Sequence, residues 1–159
     1  MWRAVKKAQY RAVKEPVELS RSDGKRPDGA TLIPWTRGKS VAWDVTVPDT
    51  YDNSYIADTA TTALAAANRA ADNKTAKYRE LAKTHQFAPI AIETGGSWNE
   101  KAVEFISEVR RRITEVTNEQ HVPVPEDIRS IAERERDRVR EHIPVRALIF
   151  KPKACHSES

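Results

Sequence analysis

The stretch Ser40-Val41-Ala42-Trp43-Asp44-Val45-Thr46-Val47 leaves the backbone little choice. Val41, Trp43, Val45 and Val47 recur at every second position. β-Branched and aromatic side chains with that period suit one buried face of a strand. Ala42, Asp44 and Thr46 then share the other face. A strand needs a neighbour, and Ala30 to Trp35 supplies one, with Thr36-Arg37-Gly38-Lys39 as the turn between them. The two are predicted to form a hairpin that Pro48-Asp49 ends.

The remaining elements follow from simpler signals. Residues 3–14 read as a short basic helix that Pro16 stops. Val17 to Leu19 reads as a short strand and Ser22-Asp23-Gly24-Lys25 as a turn. From Ser54 to Lys83 the chain is rich in alanine and reads as helix, with Asp72-Asn73 dividing it in two. Phe87 to Ile92 reads as a buried strand. Ser97 and Glu100 have capping-box spacing, and the helix they begin places Ala102, Val103, Phe105, Ile106, Val109, Ile113 and Val116 on one face.

The sum is an α/β chain with a small mixed sheet flanked by helices. Residues 1–122 are expected to form one domain. Residues 123–159 are expected to be a linker, a highly charged helix over 126–142 and a tail.

Composition narrows the function. No apolar run approaches the roughly 20 residues of a membrane span, so no membrane partner is expected. The start of the chain has no apolar leader segment, and the expected location is intracellular, nuclear or cytoplasmic. Arg110-Arg111-Arg112 reads as a basic helix surface and a weak nuclear-import candidate. Cys155 is the single cysteine, which excludes an internal disulfide framework or a cysteine metal cluster. Residues 1–40 hold ten Lys/Arg and four Asp/Glu, a net of +6, while the other 119 residues hold 17 and 19, a net of −2. That basic third, with Lys25, Arg26, Arg37 and Lys39, suits a nucleic-acid phosphate backbone or simply a solvated surface.

The candidate chemistry starts from Asp44. If the two strands pair, Asp28 approaches it from the start of the preceding strand. Two carboxylates brought together repel, and a divalent cation between them removes that cost. Mg²⁺ takes one or two carboxylates with waters and a phosphate oxygen, a set suited to phosphodiester hydrolysis. The plainer alternative makes Asp28 a turn residue of the Pro27-Asp28-Gly29 segment and Asp44 an exposed strand residue.

Arg26-Pro27-Asp28 followed by Asp44-Val45-Thr46 resembles the PD-(D/E)XK nuclease pattern. The combination of Ser20 to Gly29, Leu32-Ile33-Pro34-Trp35, Trp43-Asp44-Val45-Thr46 and Pro89 to Thr94 further resembles one particular region. That region is the C-terminal, endonuclease-like part of invertebrate non-LTR retrotransposon reverse-transcriptase proteins. The similarity spans about residues 12–118.

The resemblance implies a restriction-endonuclease-like core in the order helix, three strands, helix, strand, helix. It also implies Mg²⁺ or Mn²⁺ at Asp28 and Asp44, a DNA substrate that is nicked, and a fused reverse transcriptase that this chain lacks. Glu15 is an upstream metal-ligand candidate. The sequence departs from the pattern at Thr46, where the superfamily has lysine. Lys74-Thr75-Ala76-Lys77-Tyr78 resembles the helix that carries the lysine in related endonucleases, so Lys77 first, and then Lys74, is the expected catalytic lysine, beside Tyr78. The alternative is two surface lysines next to a packing tyrosine. Glu93 is a further site candidate, with capping or ion pairing as its other role. A catalytically decayed nucleic-acid-binding domain and a non-functional retroelement fragment are the competing functions.

Overall fold

The computed structural model describes residues 1–48 and 64–119, together with Thr62, Ser130 and Glu133. Residues 54–61 of the predicted helical stretch 54–83, the linker that begins at 123, most of the charged stretch 126–142 and Cys155 lie outside the described residues. The rest is mixed α/β. Helix α1 (Trp2–Lys7) leads into strands β1 (Ala12–Lys14), β2 (Gly29–Thr31) and β3 (Ser40–Thr46). Helix α2 (Ala65–Lys77), strand β4 (His85–Ala91) and helix α3 (Glu100–Thr117) follow. The four strands form one sheet in the order β1-β2-β3-β4, antiparallel for the first two pairings and parallel for β3 with β4. Helix α2 is the crossover that a parallel pair requires.

Two faces of the sheet are covered differently. Val41 and Trp43 of β3 and Ala88 and Ile90 of β4 join Val5, Phe105, Ile106, Val109 and Ile113 in the main core under α1 and α3. On the opposite face Ala67, Ala70 and Ala71 of α2 pack on Ala91. Alanines there let the helix lie close to the strands, so a polar residue on that face, such as Asp44, is buried beneath it. No helix among the described residues is long and apolar enough to cross a membrane.

Several expected boundaries move. The first helix stops at Lys7, and 12–14 is a strand. Gln9 takes a left-handed φ of 61°. Tyr10 N–H donates to the Val5 carbonyl at 3.2 Å and Gln9 N–H to that of Lys6 at 2.9 Å. This is a Schellman closure made without its usual glycine. Val17–Leu19 is a single 3-10 turn rather than a strand. Strand β2 ends at Thr31, and Leu32 N–H makes one last bond toward β1, to the Arg11 carbonyl at 2.8 Å. Helix α2 runs unbroken through Asp72-Asn73.

The cap of α3 is Asn99, not Ser97. The Asn99 side chain caps no helix N–H. Its Oδ1 accepts the Ala91 N–H at 2.8 Å and its Nδ2 donates to the Pro89 carbonyl at 3.2 Å. It thus satisfies backbone groups of β4 that have no strand beside them. Val103 and Val116, placed on the apolar face by periodicity, are exposed, while Ala102, Phe105, Ile106, Val109 and Ile113 are buried.

Candidate active site

The register of β2 with β3 pairs Gly29 with Trp43 and Ala30 with Ala42. Asp28 directly precedes Gly29 and Asp44 directly follows Trp43, so the two carboxylates come close where this pairing ends, near enough for the charge of Asp44 to act on Asp28. Trp43 fixes this arrangement, because its indole fills the space in which any side chain on Gly29 would stand. Asp28 closes the ladder with its side chain: Oδ2 accepts the Val45 N–H at 2.6 Å. Partial desolvation of its carboxyl pushes the Asp28 pKa above the ordinary aspartate value. The Val45 hydrogen bond opposes this and the charge of Asp44 adds to it.

Asp44 is buried under α2. Its Oδ1 accepts the Tyr78 hydroxyl at 3.3 Å, and its Oδ2 meets the ammonium of Lys74 in an ion pair. Oδ2 makes no hydrogen bond besides this ion pair, so the Lys74 ammonium alone answers its charge. Burial, and then the neighbouring charge of Asp44, push the Tyr78 pKa above that of a free phenol, so the hydroxyl stays a donor.

Of the two lysines expected on one face of this helix, Lys74 and not Lys77 reaches Asp44. Lys77 points its ammonium over the Tyr78 ring, 4.7 Å from the centroid. Burial, and then the charge of Lys74, lower its pKa. Thr46 is half-buried two residues beyond Asp44 in β3.

Glu15 lies opposite Asp28 by the β1–β2 register, which pairs Lys14 with Gly29. Its carboxylate turns to Arg26, 2.6 Å from Nη2, in an exposed pair. Glu93 does not join the acids: its Oε1 accepts the Ala67 N–H at 3.3 Å, which caps the first turn of α2 from outside the helix.

The basic candidates are dispersed. Arg26 is held by Glu15, Lys39 donates to the Ala82 carbonyl at 3.3 Å, and Lys25 and Arg37 are exposed on turns. Arg112 of the triple-arginine segment is structural. It lies over Trp35, 3.8 Å from the ring centroid, and bonds Glu108 and the Trp35 carbonyl. Trp35 and Trp43 are core residues. Among the described residues no three or more His, Cys, Asp or Glu side chains gather as a metal-binding group. The two neighbouring carboxylates, Asp28 and Asp44, are the residues that could hold a cation here, with the Lys74 ammonium already on one oxygen of Asp44.

A scan against protein-family models gives no match for the chain, and a search of the curated proteins gives none either.

Proposed function

We propose that this chain is a divalent-metal-dependent DNA endonuclease of retroelement origin, or its remnant. The observation that carries the reading is Asp28 beside Asp44 at the end of the β2–β3 pairing, with the Lys74 ammonium on the buried member. The order helix, three strands, helix, strand, helix is also that of the restriction-endonuclease-like core which the sequence resembles.

In this reading Asp28 and Asp44 hold Mg²⁺ or Mn²⁺. Such an ion, when bound, polarises the phosphate and eases deprotonation of water. The chain's own residues do the rest. Tyr78 fixes the rotamer of Asp44 through Oδ1. The helix positions the ammonium of Lys74 at the acid pair, where it stabilises negative charge developing on a phosphate. That places on α2 the charge that Thr46 cannot provide from the strand. Thr46 is also what favours the second reading, a nucleic-acid-binding domain that has lost catalysis.

A plasmid-nicking assay with Mg²⁺ or Mn²⁺ tests the proposal. Nicking by the intact chain is expected to be lost in Asp28→Ala, Asp44→Ala and Lys74→Ala. Activity that survives both aspartate changes rules out this site. Absence of nicking by the intact chain, with salt-sensitive DNA binding retained, supports the second reading.

A further inference from the structure

Next to the acid pair, the turn at Val17–Leu19 and the loop after it face the C-terminal end of α2, leaving an open cleft of about 510 Å³. Its size is that of a small-ligand site. Tyr78 belongs to both places, since its hydroxyl is on Asp44 and the residue lines the cleft. Arg21, Lys77 and Arg79 line the cleft as well, with the hydroxyls of Ser20 and Ser22.

Arg21 donates from Nη1 to the Lys77 carbonyl at 2.7 Å, and its own N–H closes the loop onto the Lys25 carbonyl at 2.8 Å. The first of these bonds also offsets the negative end of the α2 dipole, which would otherwise repel an anion. Among the described residues no carboxylate pairs with Lys25, Lys77 or Arg79. Of the two glutamates lining the cleft, Glu80 is taken by Lys83 at 2.5 Å, which leaves Glu18. After burial, the charge of Lys74 lowers the Lys77 pKa, with Asp44 opposing it and Lys25 and Arg21 adding to it; of these cations Lys74 is paired with Asp44 and Arg21 with Asp23 at 3.5 Å. Like charges gathered in this way are stabilised by an anion among them. Glu18 alone leaves the charge of Lys25, Lys77 and Arg79 largely unmet, whereas a DNA strand brings successive phosphates.

We infer that this cleft seats a phosphodiester of the DNA strand flanking the bond at the acid pair, clamped by Lys77 and Arg79. The inference rests on the nuclease reading for the polymer's identity. It gives Lys77 a binding role in place of the catalytic one expected from sequence.

The test is fluorescence anisotropy with a short fluorescein-labelled DNA duplex in EDTA, where binding is read without cleavage. The intact chain is compared with the double variant Lys77→Gln/Arg79→Gln and with Lys101→Gln on α3, which packs on the other face of the sheet. The double variant is expected to bind several-fold more weakly. Its slope of log affinity against log salt is expected to be shallower by about 0.9 for each phosphate that is no longer neutralised. Lys101→Gln is expected to change neither.

Lys25→Gln, in an exposed turn, is expected to flatten the slope in the same direction and serves if the double variant fails to fold. Unchanged affinity and slope in the cleft variants, or an equal loss in Lys101→Gln, overturns the inference. Cleft-dependent binding without nicking keeps the inference and sinks the nuclease reading. Nicking with binding indifferent to the cleft does the reverse.

Discussion

The ammonium of Lys74 rests on Oδ2 of Asp44, a residue only 4% exposed. Removing one partner of a buried pair leaves the other charge desolvated and unmatched. Lys74→Met is therefore expected to cost about 3 kcal/mol, the lower end for such losses, because the lysine side chain itself keeps 24% exposure. Adding Asp44→Asn to it should restore most of that. Urea unfolding of both variants in EDTA measures the effect. A loss below about 1 kcal/mol for Lys74→Met would mean the pair is screened like a surface one.

The two carboxylates Asp28 and Glu108 should bend the pH–stability curve in opposite directions. Asp28 has its folded pKa raised, first by partial desolvation of its carboxyl, so the folded state holds the proton more tightly. Its contribution is complete below the unfolded value near 3.8 and is lost as pH rises through the folded value. Glu108 has its pKa lowered to about 2, chiefly by the hydrogen bonds from Arg111, with Arg112 assisting. Its contribution is present above about 4.5 and is lost as pH falls toward 2. Asp28→Asn should therefore raise stability at neutral pH relative to pH 3, and Glu108→Gln should flatten the acid limb. Urea midpoints across pH 2 to 7 for each variant, read against the intact chain, decide both signs.

Arg112 lies against two rings at once, 3.8 Å from the Trp35 centroid and 4.8 Å from that of Tyr10. It also bonds the Trp35 carbonyl at 2.9 Å and Glu108 at 2.6 Å. A planar guanidinium makes these interactions together and an ammonium does not. Arg112→Lys should thus fail to rescue Arg112→Ala, with both losing about 1–3 kcal/mol. Thermal unfolding followed by tryptophan fluorescence reads this. A lysine variant as stable as the native chain would show that charge alone matters there.

Where the sequence was legible, one physical signal dominated. The period-2 pattern of Val41, Trp43 and Val45 defined β3 and placed Asp44 on the face away from Trp43, as found. The turn at Thr36 to Lys39 was legible because Gly38 and Arg37 take the left-handed conformations a tight hairpin requires. Strand β1 was hidden because Ala12–Lys14 is short and the helix before it, which stops at Lys7, is closed by a left-handed Gln9, with no glycine to announce the reversal. Helical spacing put Lys74 and Lys77 on a shared face, but which one reaches Asp44 depends on how α2 crosses β3, a tertiary fact. The role of Asn99 was equally out of reach, since its partners are the buried backbone groups of Pro89 and Ala91 on the edge of β4 away from β3. Arg21 carried no local signal at all: its partner, the Lys77 carbonyl, is 56 residues away.

Gly29 shows how closely the acid pair depends on packing. In sequence it reads as the second half of an Asp-Gly turn, yet it is a strand residue with no positive φ. A Cβ there would stand 2.3 Å from Cζ2 and 2.6 Å from Cε2 of the Trp43 ring. Trp43 is 1% exposed and packed against Phe105, so its indole has little room to yield. Gly29→Ala is therefore expected to cost at least about 2 kcal/mol by overpacking. Because Gly29 directly follows Asp28 and pairs with Trp43, the strain should fall on the register that brings Asp28 beside Asp44. Trp43→Phe in the same background removes the clashing indole ring and should recover part of the stability. Urea unfolding of the single and double variants separates the two effects. A double variant no more stable than Gly29→Ala would show that the glycine is required by the backbone and not by the indole.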